Sequence, residues 1–209
     1  MLTAVNATGL AGQSIVDRLQ LDRLQLVSLG LGFGSIAPSQ VDRTRVFGLS
    51  ADYGELSPAW RLQFRVTYWE SKFQQKVVDE FADTLQQSLV DPTATTVVRS
   101  PISLFDAAFG LGARRLLMPR ADVTPFFTMG FAGHVINAEG DFIKGTFVER
   151  ALDDIAVGVF GDAGFRARLL RRVLVEGSVR GDLLSGFRSV QWMATASYYF
   201  GEARGNTSK

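Results

Sequence analysis

The stretch that decides the reading is RSVQWMATASYYF, Arg188 to Phe200. Val190, Trp192, Ala194, Ala196, Tyr198 and Phe200 share one parity. Ser189, Gln191, Met193, Thr195, Ser197 and Tyr199 share the other. A period of two marks a β-strand, whose successive side chains point to opposite faces. One face is continuous, apolar and uncharged, and ends on an aromatic ring. The other is mostly small and polar, which is unusual for a strand facing water.

Working outward, the same alternation recurs. Strands are predicted at about Leu24–Gly34, Thr44–Tyr53, Trp60–Trp69, Ser103–Arg115, Thr124–Ile136 and Ile155–Arg168, with a seventh from Val173 to about Arg180. The clearest is Trp60–Trp69, where Trp60, Leu62, Phe64, Val66 and Tyr68 alternate with Arg61, Gln63, Arg65, Thr67 and Trp69. A helix would smear these two classes around its circumference. Short turns join most strands, so the pattern predicts an eight-stranded antiparallel meander over residues 22–200. Its last strand is expected to pair with Leu24–Gly34 and close the sheet. Residues 1–21 read as a lead-in, either a short helix over Ser14–Asp22 or a signal remnant, and 201–209 as a polar tail. Two connections are long, Glu70–Pro101 and Asn137–Asp154, and long loops in a compact domain tend to be functional. Within the first, Val78, Phe81, Leu85 and Leu89 have helical spacing, so a short amphipathic helix is expected over Lys76–Val90, stopped by Asp91-Pro92 and folded over the barrel mouth.

Composition narrows the class. The 209 residues carry a net charge of +1, which gives no footprint for nucleic acid. Cysteine is absent and His134 is the single histidine, so Cys-ligated and His-rich metal sites are excluded. No apolar run reaches the ~18 residues of a transmembrane helix. A mean hydropathy of +0.11 fits a transmembrane barrel, whose strands alternate apolar and polar residues.

Alternation alone does not say which face meets solvent. The polar face holds mainly Gly, Ser, Thr and Ala with few charges of both signs, whereas a water-facing surface is richly charged. Arg61, Arg65, Asp106, Asp162, Arg166, Glu176 and Arg180 therefore read as a lumen network in which opposite charges pair. The other face is essentially uncharged, as expected where one Lys or Arg at the bilayer midplane costs about 2–4 kcal/mol. Leu62, Phe64, Val66, Tyr68, Val173, Val175, Val179, Trp192 and Phe200 are expected to face lipid. Phe33, Tyr53, Trp60, Tyr68, Phe105 and Phe200 lie near strand ends, as interfacial girdles require. With the N-terminus on the periplasmic side, the two longest connections point outward. Strands of about 9–11 residues suit a tilted crossing.

In this pattern the chain resembles the small eight-stranded outer-membrane β-barrels, the architecture of the OmpA transmembrane domain, OmpX and OmpW. The segment Val190-Gln191-Trp192-Met193-Ala194-Thr195-Ala196-Ser197-Tyr198-Tyr199-Phe200 is similar to the terminal signal that the barrel assembly machinery recognises. The resemblance implies an all-β, up-and-down transmembrane barrel in a Gram-negative-type outer membrane, in contact with outer-membrane lipid, with no cofactor. The uncharged outer face, the filled lumen and the long outer loops lead to the expectation of a membrane anchor and surface scaffold whose loops at 70–101 and 137–154 meet a surface partner. The alternatives are a narrow channel for small or apolar solutes, similar to the OmpW type, and a soluble lipid-binding barrel.

Chemistry finds little support. Barrels resembling lipid A deacylases place a serine two residues after the histidine, where this chain has Ile136, and His134 shares parity with the lumen residues. The lumen carboxylates read as structural, because an eight-stranded barrel is just wide enough to be filled by side chains. Gly30-Leu31-Gly32-Phe33-Gly34 is followed by no helix and no acidic partner, so it is not a phosphate loop. The expectation is a non-enzymatic barrel.

Overall fold

The structure, a computed structural model, describes residues 24–57, 59–88, 102–119, 121–140, 154–185 and 187–201; for residues 81–82, 84–88 and 154 it describes the backbone alone. The strands are β1 (Ser28–Pro38), β2 (Thr44–Ser57), β3 (Trp60–Lys72), β4 (Ser103–Leu116), β5 (Val123–Glu139), β6 (Asp154–Leu170), β7 (Val173–Leu184) and β8 (Phe187–Tyr199). One helix, α1 (Gln75–Ser88), lies between β3 and β4. Each strand pairs antiparallel with its sequence neighbours, and β1 pairs with β8 from Ser28↔Tyr199 to Pro38↔Ser189, so the sheet is a closed barrel. The alternation read from the sequence is the physical reason: a sheet with two unlike faces must bury one and can leave no edge unpaired in lipid.

This up-and-down order puts Ser28, Tyr199 and the turns β2–β3, β4–β5 and β6–β7 at one end, the turn end. The two long connections, α1 and the short β1–β2 and β7–β8 links lie at the other, the loop end. The loop-end lumen is closed by an apolar cluster of Ile36, Val41, Val46, Trp69, Leu104, Ala138, Leu184, Phe187 and Met193. Trp69 and Phe187 stack there with ring centroids 6.1 Å apart. An isolated bridge from Val41 to Phe73 ties the β1–β2 link to the segment leading into α1. Val78 of α1 is buried, while the side chains of Phe81, Leu85 and Leu89 lie outside the described residues. The predicted lead-in helix and tail lie outside them too.

Several boundaries differ from the sequence reading. Strands run 11 to 17 residues, not nine to eleven. The ladder continues beyond the apolar band, as where Glu70 and Lys72 point outward at the loop end of β3. β1 is shifted toward the loop end, and Pro38 is its last residue, a position where the missing N–H costs little. Val27 therefore precedes the strand and leaves the parity of Leu29; it is 1% exposed, and its N–H donates to Asp52 O at 2.7 Å. β7 continues to Leu184, through residues expected to be a turn.

Closure depends on close backbone approach at the β1–β8 seam. A Cβ on Gly34 would overlap the Trp192 carbonyl and come within 2.9 Å of the Met193 Cα. Gly32 and Gly48 leave room for the Met193 side chain, but Tyr199 lies opposite Ser28 rather than a glycine. Replacing Gly34 with Val is expected to prevent closure. On gel electrophoresis of unheated, detergent-refolded protein, the fast-migrating compact band should be lost in this variant and kept in the native chain.

Candidate functional site

The lumen is built upward from the turn end. There the sequence Asp52-Tyr53-Gly54 forms a bulge in β2, with Gly54 at φ 84°, a region glycine enters without steric cost. The Gly54 N–H donates to Asp52 Oδ1 at 2.8 Å, which aims the other carboxylate oxygen into the barrel. Arg61 Nε donates to that oxygen at 3.0 Å, and Arg166 Nη1 lies 3.5 Å from it. Arg166 Nε is 4.0 Å from Glu176 Oε1. Arg114 donates from Nη1 to both Glu176 oxygens at 3.0 and 2.9 Å, and its Nη2 lies 3.6 Å from Asp162. Arg65 Nη2 approaches the same Asp162 oxygen at 3.3 Å.

A second group begins on β7, where Arg180 is the register partner of Asp162 on β6. Arg180 clasps Asp182 with contacts of 2.6 to 3.0 Å. His134 Nε2 is 3.9 Å from Asp182, and its Nδ1 is 2.9 Å from Asp106 Oδ2, which also accepts the Trp69 indole N–H at 3.0 Å. The Asp106 carboxylate is an acceptor, so it favours the proton on Nδ1. The arginine planes are packed as well: the Arg114 and Arg180 guanidinium carbons each lie 3.9 Å from a ring centroid, of Phe126 and Phe160 respectively. Thr128 accepts from Arg114 Nε at 3.0 Å.

The seven residues expected in the lumen point inward and fall into two groups: Arg61, Arg65, Asp162, Arg166 and Glu176 share partners in one, and Asp106 and Arg180 meet His134 and Asp182 in the other. The sequence reading left Asp52, Arg114 and Asp182 out of the network. Asp52 and Arg114 carry lumen parity and could have been found by it. Asp182 was hidden because β7 was ended before it. His134 has its Asp106 partner, but among the described residues no hydroxyl or thiol hydrogen-bonds its Nε2. The arrangement orients an imidazole without presenting it to a nucleophile. Gln191 and Thr195 are buried in the lumen wall of β8.

On the outer face, Tyr68, Val179, Trp192 and Phe200 are exposed, and Leu62, Phe64, Val66, Val173 and Val175 are partly exposed between neighbours. They belong to a belt that includes Leu31, Phe131, Ile155 and Val157, each about 70% exposed or more. Soluble monomers seldom expose contiguous apolar patches beyond a few hundred Å². A closed barrel with an apolar exterior and an ion-paired interior is a transmembrane β-barrel, the solution that leaves no backbone group unpaired in hydrocarbon.

Neisserial surface protein A has a similar structure, with a TM-score of 0.52 and 13% identity over 83% of this chain and 96% of that one. The outer membrane protein OprG of Pseudomonas aeruginosa aligns with a TM-score of 0.54 and 12% identity over 86% and 98% of the two chains. The chain has the fold of the small eight-stranded outer-membrane barrels. No protein-family model and no curated protein matches it in sequence.

Arg114 is the residue on which most of the lumen converges. Its replacement by Met leaves Glu176 only the 4.0 Å contact with Arg166 and Asp162 only Arg65, and breaking a buried ion pair costs about 3–5 kcal/mol. Urea unfolding of the refolded protein in micelles, followed by tryptophan fluorescence, should show a loss of that size for Arg114→Met. The exposed pair Lys76–Glu80, 3.6 Å apart on α1, should contribute less than about 1 kcal/mol by the same assay.

Proposed function

We propose that the protein resides in the outer membrane as a non-enzymatic anchor and surface scaffold, its loop end outward and the turn end of the barrel periplasmic. The observation that carries this reading is the filled lumen. Four carboxylates (Asp52, Asp162, Glu176 and Asp182) pair with five arginines (Arg61, Arg65, Arg114, Arg166 and Arg180), Asp106 is held by His134 and Trp69, and an apolar cluster packs at the loop end. Nothing in such a filling resembles a wide aqueous path, and the width of an eight-stranded barrel agrees with it. In this reading the connections at 70–101 and 137–154 are the contact surfaces for a surface partner. The segment Val190–Phe200 is the part the barrel assembly machinery would engage, and the apolar belt meets outer-membrane lipid.

A narrow conduit for small or apolar solutes is the competing function, and conductance separates the two. Reconstituted into planar bilayers, the protein is expected to give no single-channel steps above background, and regular steps would replace the scaffold by a channel. The membrane assignment has its own check. The refolded chain should stay monodisperse only with detergent or lipid, and a detergent-free monodisperse monomer would show the barrel to be soluble.

A further inference from the structure

A groove of about 680 Å³ crosses the outside of the barrel over β1, β8, β7 and β6. Its floor is small: Gly177 and Ala194 are direct cross-strand partners on β7 and β8, and Ala163 of β6 lies diagonal to Gly177, two residues from its partner Phe165. A Cβ on Gly177 would meet nothing within 4 Å. Phe33, Phe165 and Trp192 stand up beside that floor, each more than 40% exposed. Elsewhere the belt is faced largely with bulky residues, so this is a local trough.

Its direction follows from register. Arg45, Ser35, Trp192, Val179 and Ala163 are successive cross-strand partners from β2 through β1, β8 and β7 to β6. Arg45 is the second residue of β2 from the loop end, whereas Ala163 is mid-strand in β6. Four strand spacings make this row about 19 Å long. Because barrel strands tilt by about 35–45°, the row descends roughly 12 Å, most of one leaflet of a ~30 Å hydrocarbon core.

The loop end of the groove is basic. Arg45 lines it. Arg43 donates from Nε to Ser35 Oγ at 2.8 Å and holds its guanidinium 5.3 Å from the Trp192 ring centroid. Asp42 and Glu70 flank these arginines in sequence and across the ladder, yet among the described residues neither arginine has an ion-pair partner. This contrasts with the lumen, where the arginines are matched to carboxylates.

We propose that this groove seats one acyl lipid with a net-anionic phosphate headgroup, its chain in the trough and its phosphate on Arg43 and Arg45. The proposal rests on the membrane reading above. Arginine forks suit phosphate oxygens, and at the hydrocarbon boundary such contacts are weakly screened by water. Trp192 serves both halves, as a wall of the trough and as the platform for Arg43.

The test uses the full chain refolded in detergent micelles, incubated with phosphatidylglycerol or phosphatidylcholine and analysed by native mass spectrometry. The native protein should retain one phosphatidylglycerol, with phosphatidylcholine retained about ten-fold less. Arg43→Gln with Arg45→Gln should bring phosphatidylglycerol down to the phosphatidylcholine level. Gly177→Leu fills the trough from outside the protein's own packing and should reduce retention of both lipids while the heat-sensitive compact band persists. Equal retention of the two lipids by the native chain, or full retention of phosphatidylglycerol in Gly177→Leu, would overturn the proposal. So would a dimer lost in Gly177→Leu, because a second copy would then be the occupant. A chain that gives no compact band in any form instead sinks the membrane-barrel reading, so the two failures are distinguishable.

Discussion

Everything in this molecule depends on β1 reaching β8. In hydrocarbon an unpaired N–H or C=O costs several kcal/mol, so a sheet can cross only if its last strand finds its first. Closure here is a backbone matter. Gly34 permits the β8 main chain to approach, and the eleven paired positions from Ser28↔Tyr199 to Pro38↔Ser189 complete the cylinder. Once closed, each strand has one face committed to lipid and one to a lumen too narrow for a wide pore.

The narrow lumen creates the second constraint, because the charges on the inner face have almost no water around them. Arg65, Asp106, Arg114, Asp162, Arg180 and Asp182 are all buried. Buried charges must be paired and hydrogen-bonded, and isolated ones cost several kcal/mol. The solution is branched rather than pairwise. Asp52 serves Arg61 and Arg166, Arg114 serves Glu176 and Asp162, and Asp106 serves His134 and Trp69. Toward the loop end the polar filling gives way to Trp69, Phe187, Leu184 and their neighbours, which pack without needing partners. Ions below and hydrocarbon above give the barrel a plug of two chemistries.

The outer face shows the reverse arrangement. It is almost free of charge through the belt, and the exposed arginines Arg43 and Arg45 stand at its loop-end margin beside Trp192. A guanidinium over an indole face is a stable interfacial arrangement, with the stem in apolar surroundings and the head reaching water or phosphate. The groove below them exists because Gly177 and Ala194 are paired outward positions on β7 and β8, with Ala163 diagonal to Gly177 on β6.

Eight strands, their order, their two faces and seven of the lumen charges are legible in the sequence. All of these are local or periodic properties, and a two-residue period survives translation into any sheet. Trp60–Trp69 alone separates Arg61 and Arg65 from Leu62 and Phe64. Which charges meet is a property of the closed fold. Arg114 and Glu176 are far apart in the chain and come together because the strands β4 and β7 face one another across a closed cylinder. Strand ends were likewise not legible in full, since Val27, Pro38 and Asp182 obey the partner strand's ladder more than their own neighbours' propensities. The groove was invisible for the same reason: small residues are ordinary singly, and only the register sets Gly177 against Ala194, with Ala163 on the adjoining row that runs through Val179 to Trp192.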